Sequence, residues 1–310
     1  MLRIAVPDLV SNSYFPIIAA VEMGFFKEEG CDAAVELLFP IPKTFEALRN
    51  GQFDFVVGSA HATLLAFPEW AGAKLLAACG QHTYWFLVIR NDLKAKRGDL
   101  SVVKGLRIGA APGVDLSLKR MLLEGGMDPQ KNGVVIMPIP GAAGPNVSFG
   151  LAAARALEEG KLDGFWANGM GCEVAVRRGV GTMVLDLRRG DGPPPARDYT
   201  FSALVTTEKK IAEDPTSVRA AIRALMKAHQ ALKADFNAAT AVGKKRFPPA
   251  EADLIAELVR RDLPYYEPNI PEEKVLSMNR FAQDVGLLAA PAPYERVVAT
   301  AFSHLWNEPL

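Results

Sequence analysis

Cysteine is scarce in this chain. Its 310 residues hold three, Cys31, Cys79 and Cys172, far apart and odd in number. That pattern prescribes no disulfide framework and offers no zinc-ligand spacing. The three read as small buried hydrophobes. Histidine is nearly as rare, at four residues, and no cluster of His, Cys, Asp or Glu has metal-ligand spacing, so no metal is expected. Glycine is present but not in phosphate-binding order. Gly160-Lys161 lacks the earlier glycine and the following Ser or Thr of a P-loop, and no G-x-G-x-x-G follows a strand. No G-x-S-x-G marks a nucleophilic serine. No cofactor is expected and no catalytic residue is named. An excess of either charge is also missing: Lys+Arg and Asp+Glu both total 35, which removes the electrostatic footprint of nucleic-acid binding. No run of about 18 or more apolar residues occurs, so no membrane span is expected.

What the chain does have is alternation. An apolar strand at residues 2–6 leads into Ser11 to Gly30, S-N-S-Y-F-P-I-I-A-A-V-E-M-G-F-F-K-E-E-G. Ser13 can cap a helix, and Pro16 sits early in it, where a missing N–H costs little. Ile17, Ala20, Val21 and Gly24 share one face at helical spacing, and Gly30 reads as the C-terminal breaker. Strand, polar-aromatic loop and helix in that order set hydroxyls, backbone N–H groups and an aromatic ring at the C-terminal edge of a sheet. Open α/β sheets bind ligands there. Further strands are expected at 31–39, 53–57, 75–78 and 84–89 with short helices between them. The alternation predicts a mostly parallel sheet covered by helices.

A second unit opens at Gly105. Its reading is a strand, the turn Pro112-Gly113-Val114, and a helix with Asp115 as N-cap that is stopped by Gly125-Gly126. There follow a strand at 134–138, a loop at 141–148 ending in the cap Ser148, a strand at 162–167, a glycine-rich turn at Asn168, a helix at 172–178 and a strand at 182–187. Residues 188–197, with Pro193 to Pro195, read as a stiff linker. After a β-prone stretch at 199–206 the chain turns helical. Asp214-Pro215 starts a long helix with Val218, Ala221, Ile222, Leu225, His229 and Leu232 on one face. Three more helices are expected at 250–261, 271–286 and 294–305. Residues 2–90 and 105–187 echo each other, which predicts two α/β lobes. If 84–89 and 199–206 both cross between them, the connection is double, an arrangement suited to hinge closing.

Five segments in order, over about residues 2–235, resemble a known family. They are the Ser11–Gly30 stretch, then F-E-A-L-R-N-G-Q-F-D-F-V-V-G-S, L-R-I-G-A-A-P-G-V-D, A-L-E-E-G-K-L-D-G-F-W-A and F-S-A-L-V-T-T-E-K-K-I-A-E-D-P-T-S-V-R-A-A-I-R-A. Together they resemble the ABC-transporter solute-binding proteins of the nitrate/sulfonate/taurine and thiamine-pyrimidine (NMT1-like) type. The resemblance implies a type II periplasmic-binding-protein fold, α/β, with two lobes, a double-crossover hinge and a ligand in the cleft. Residues 1–86 with 201–310 would form lobe 1, and 87–200 lobe 2. A small organic solute and an ABC permease are the implied partners, and a monomer is expected. The chain departs from many relatives at the second-lobe loop, where Val114 and Asp115 stand in place of Ser or Thr. A carboxylate at that helix start would repel a sulfonate or nitrate unless it points away.

The resemblance implies four cleft-lining loops. In the first, Asn12 and Ser13 are polar; Tyr14 could stack on a planar ligand, and Phe15 could line the cleft or lie in the core beneath. In the second, Ser59, Ala60 and His61 follow a buried strand. The hydroxyl and imidazole either donate to ligand oxygen atoms or cap locally. The third holds Gly113, Val114 and Asp115, the last an N-cap or an acceptor for an amine or pyrimidine nitrogen. The fourth holds Trp166, Asn168 and Met170; Asn168 offers both donor and acceptor, and Trp166 is equally a core residue. Tyr84, next to Trp85, could form a wall at the hinge. His229 reads as a satisfied core histidine. The expected function is capture of a small organic molecule for an ABC importer. The alternative is a cytosolic enzyme on the same fold, thiamine-pyrimidine-synthase-like or decarboxylase-like. The first residues carry no signal-peptide pattern, so the expected location is periplasmic if an upstream leader was removed and cytoplasmic otherwise.

Overall fold

The computed structural model describes residues 1–144 and 146–308; Pro145, in the loop expected at 141–148, lies outside them. Two compact units are formed. One joins Met1–Gln81 to the chain from Thr200 on, and the other is His82–Tyr199. The strands, in chain order, are β1 (Leu2–Val6), β2 (Ala33–Leu37), β3 (Phe55–Ser59), β4 (Ala73–Gly80), β5 (Phe86–Arg90), β6 (Arg107–Ala110), β7 (Val135–Met137), β8 (Gly164–Ala167), β9 (Gly181–Asp186) and β10 (Ser202–Thr207).

The first unit holds the sheet β2-β1-β3-β10-β4, the second β7-β6-β8-β5-β9. The two match strand for strand. In the first, Ile4 of β1 pairs in parallel with Val35 and with Phe55, while Leu204 of β10 runs antiparallel between Val57 and Ala77. In the second, Ile108 of β6 pairs in parallel with Ile136 and with Gly164, and Leu87 of β5 runs antiparallel between Trp166 and Leu185. Each sheet is thus four like-directed strands with one reversed strand inserted at the fourth place, which qualifies the mostly parallel expectation. The reversed strand is always the one next to a chain crossing: β5 follows the crossing at Gln81–His82, and β10 follows the return at Tyr199–Thr200. β3 is buried at all five residues, as a strand covered on both faces must be.

Several elements differ from the sequence reading. The first helix is Phe15–Glu22, and no side chain caps it; Ser13 instead donates its backbone N–H to Ser11 Oγ at 3.1 Å. Gly24, at φ +86°, ends that helix, and a short second one, Phe25–Glu28, follows. Behind β3 the chain makes a 3₁₀ segment, Ala60–Leu65. Residues 188–197 are no free linker. Two 3₁₀ turns, Leu187–Arg189 and Pro194–Asp198, fold them into the second unit, with Ala196 and Arg188 buried and Arg197 Nε donating to the Arg188 carbonyl. Helix Ala238–Arg246 was not expected, since its apolar residues form no stripe. The single helix expected at 294–305 divides into Tyr294–Val297 and the 3₁₀ segment Thr300–Asn307. Between them Val298 is extended and bridges Leu75 on the free edge of β4, a tertiary pairing that overrides local helix preference.

Two caps hold as read: Asp214 accepts from Ser217 N at 3.1 Å, and Ser148 from Leu151 N at 3.4 Å. Cys79 and Cys172 are buried, Cys31 is half-buried, and all three are free thiols. Among the described residues no helix is long and apolar enough to cross a membrane.

Candidate functional site

Because β1 and β3 are parallel, their C-terminal ends open on one sheet edge, and the reversed β10 starts there. The loop after β1 is tightened by its own short side chains. Asp8 Oδ1 accepts from Val10 N at 3.0 Å and Ser11 Oγ from Ser13 N at 3.1 Å, and the Asn12 backbone carbonyl accepts from Phe15 N at 3.4 Å; local acceptors of this kind stabilise turns. Asn12, Ser13, Tyr14 and Phe15 are all at most 5% exposed. Phe15 belongs to the core, its ring edge-on to Phe247 with centroids 6.0 Å apart. Asn12 Nδ2 donates to Asp262 Oδ2 at 2.7 Å. Asn12 Oδ1 and Ser13 Oγ are buried with no hydrogen-bond partner, whereas buried polar atoms are normally paired.

The β3 end meets β10. Ser59 pairs with Ser202, Ala60 N donates to the Phe201 carbonyl at 2.9 Å, and His61 N donates to Thr200 Oγ1 at 3.3 Å. The His61 ring lies edge-on to Phe281 at 5.2 Å. Thus Asn12, Ser13 and Tyr14 share an edge with Ser59, Ala60 and His61.

In the second unit the corresponding edge lies at the ends of β6 and β8, and the reversed β5 begins there, Phe86 opposite Ala167. Asp115 is not the helix cap. Val114 takes that place, and Asp115 is the first residue of helix Asp115–Glu124. Its carboxylate folds back: Oδ1 accepts from Gly113 N at 2.9 Å, and Oδ2 pairs with Lys119 Nζ at 2.6 Å. Gly113 allows the turn by adopting φ +87°. The negative charge is therefore met one helical turn on by a lysine, which weakens the repulsion expected toward an anion.

Trp166 is fully buried and donates from Nε1 to Ser117 Oγ at 3.0 Å; Ser117 in turn donates to the Val114 carbonyl at 2.6 Å. This chain of bonds pins β8 to the helix start. Asn168 caps helix Gly169–Arg177, its Oδ1 accepting from Gly171 N at 3.1 Å, and Met170 is fully buried. Tyr84, Trp85 and Trp166 form an aromatic group with centroid separations of 5.3 and 6.1 Å. The guanidinium of the buried Arg188 lies 5.7 Å from the Tyr84 ring centroid, within range of a cation–π contact.

Sequence reasoning missed two of these residues. Arg188 sat in the supposed linker. Asp262 is 250 residues from Asn12 at the end of an ordinary helix, with no local signal. Among the described residues no three His, Cys, Asp or Glu side chains gather into a metal-holding group.

A family model described as NMT1/THI5 like matches residues 11–239. The chain belongs to the NMT1/THI5-like family. The match begins at the polar-aromatic loop after β1 and bears out the resemblance read from the five segments. Asp262 lies beyond it. Among curated proteins none matches. Solved structures resemble this NMT1/THI5-like chain over nearly its full length. A protein of Bordetella bronchiseptica RB50 is 17% identical at a TM-score of 0.79, covering 99% of this chain and 96% of that one. The periplasmic nitrate-binding protein NrtA of Synechocystis PCC 6803 is 16% identical at 0.72, covering 98% and 87%. The periplasmic sulfonate-binding protein SsuA of Methylobacillus flagellatus KT is 18% identical at 0.66, covering 98% and 93%. At such identities the likeness establishes the fold, that of the two-lobed periplasmic binding proteins, as the segment order implied.

Proposed function

We propose that this NMT1/THI5-like protein is a non-enzymatic solute-binding component of an ABC importer. Its two units correspond to the two lobes of such proteins, and loop residues at the C-terminal end of the first sheet bind a small organic molecule. The observation that carries this reading is the pair of buried, unpartnered polar atoms, Asn12 Oδ1 and Ser13 Oγ, at the C-terminal edge of the first sheet, in a chain of this family. Binding energy comes from a few hydrogen bonds and an aromatic wall, with water excluded. The protein works as a monomer that delivers the solute to a permease, in the periplasm where an upstream leader has been removed and in the cytoplasm otherwise.

A thermal-shift screen over carboxylates, sulfonates, amines and pyrimidines tests this. A solute at about 100 times its Kd adds about 2.7 kcal/mol to stability, which raises the melting temperature measurably. A screen in which none of these classes shifts the melting point contradicts the reading. Mass spectrometry of the solute after prolonged incubation separates it from the enzyme alternative: a binding protein returns the solute unchanged.

A further inference from the structure

We propose that Asp262 is a positioning residue for solute recognition. It locks the Asn12 amide so that the amide oxygen is the atom offered to the solute. The protein thereby selects a solute whose recognised end carries an N–H donor, an amide or amine, over a bare oxyanion. This rests on the reading of the β1 loop as part of the solute site.

An asparagine side chain has an acceptor oxygen and a two-donor nitrogen of nearly the same shape, so an unrestrained amide can present either by rotating half a turn. Asn12 is not unrestrained. It faces a carboxylate, which has acceptors only, and the 2.7 Å contact to Asp262 Oδ2 is made by Nδ2. Both residues are buried, Asn12 at 3% and Asp262 at 2% exposure. Turning the amide over would set two oxygens against each other at that distance in a place water does not reach, losing a charge-assisted bond and adding repulsion. Asp262 itself is held by helix Pro249–Asp262, whose Ile255 and Val259 are fully buried.

With one N–H of Nδ2 committed to Asp262, the amide is fixed in orientation. Its Oδ1 is buried with no partner within the protein; neither has Ser13 Oγ on the next residue. A hydroxyl can donate or accept, so Ser13 adapts to whatever group arrives. The amide oxygen cannot adapt. An N–H satisfies it, while a sulfonate or nitrate oxygen does not.

The test is calorimetric titration of the full chain with matched pairs: propanesulfonamide against propanesulfonate, and butanamide against butyrate. The expected result is tighter binding of the N–H member of each pair by about tenfold or more, the scale of one buried unmatched acceptor. In Asp262→Asn the new amide can offer either atom to Asn12, so the lock is lost and the preference falls to within about threefold. Asn12→Ala, which leaves Asp262 in place, also abolishes the preference. A purely structural role for Asp262 would lower affinity for both members alike and leave their ratio unchanged, which overturns the proposal. Tighter binding of the oxyanion members by the native chain overturns it too while leaving the solute-binding reading intact. Failure of all four probes to bind overturns this proposal, while the solute-binding reading is then decided by the wider thermal-shift screen.

Discussion

His229 lies on the buried face of helix Pro215–Ala234, its ring stacked on Tyr266 and its Nε2 2.9 Å from the Cys79 carbonyl. Burial pushes its pKa down from 6.5 to about 4. The unfolded chain therefore takes up this proton as pH falls through 6.5, and the folded chain only near 4. Stability is lost across that window, at up to about 1.4 kcal/mol per pH unit. Urea denaturation near neutral pH and at about pH 5 measures the loss, and His229→Gln shows a smaller one. Asp214 works at lower pH. Hydrogen bonds from Ser217, side chain first and then backbone, with Lys210 alongside, bring its pKa from 3.8 down to about 2. Its contribution is present above 3.8 and disappears as pH falls through about 2. Asp214→Ala is expected to cost about 1 kcal/mol at neutral pH and almost nothing in strong acid, as read from thermal melts at the two conditions. Asn12 and Asp262 carry the third residue-scale expectation, the loss of head-group preference in Asp262→Asn. Asp214 was legible from its own sequence because a cap needs only a neighbour three residues on. Asp262 was not, because its partner is supplied by the fold.

The helices Phe149–Glu158 and Gly169–Arg177 touch backbone to backbone. A Cβ on Gly171 would meet the Gly150 carbonyl oxygen at 2.7 Å and its Cα at 2.9 Å, and a Cβ on Gly150 would meet Asn168 Oδ1 at 2.7 Å. At Gly171 every atom met is backbone, so no side chain can move aside. Gly171→Ala is expected to destabilise the second unit by about 1–3 kcal/mol and to weaken the Asn168 cap, which bonds Gly171 N; a lowered melting temperature checks it. The sequence reading saw this glycine-rich stretch as a turn leading to a helix at 172, because glycine suggests a loop. The structure uses the same glycines inside the helix, where close approach outweighs their poor helix propensity. Helix Ala238–Arg246 was illegible for the opposite reason: its fit is decided by Gly243 lying against Ala252 and Ile255, not by an apolar stripe of its own.

At the scale of the whole molecule, the C-terminal region closes an edge that the first sheet leaves open. β4 is the last strand in its sheet, and exposed edges invite pairing with other chains. Ala78 N donates to the Pro268 carbonyl at 2.8 Å, Ala299 N to the Leu75 carbonyl at 2.9 Å, and Trp306 Nε1 to the Leu76 carbonyl at 2.9 Å. Arg223 reaches both Glu29 and Glu308. A chain ending at Pro291 loses the Val298 bridge and the Trp306 bond. It is expected to melt lower and to form higher-order species on size-exclusion chromatography, whereas Trp306→Phe in the full chain costs only about 0.5–1.5 kcal/mol, the worth of one hydrogen bond. An unchanged elution profile for the shortened chain would show that β4 needs no cover.

By itself the sequence determined the α/β alternation, the two echoing units, the helix starts at Ser148 and Asp214 and the family, because these rest on periodicity, caps and segments read within a few residues of one another. Only the tertiary structure decided the reversed strand in each sheet, the burial of Arg188 behind Tyr84, the turning of Asp115 onto Gly113 and Lys119, and the bond from Asn12 to Asp262. Each of those joins groups far apart in the chain or chooses among several partners that local chemistry allows. The loop after β1, polar and aromatic in the sequence, acquires a defined donor and acceptor polarity only when residue 262 is folded against it.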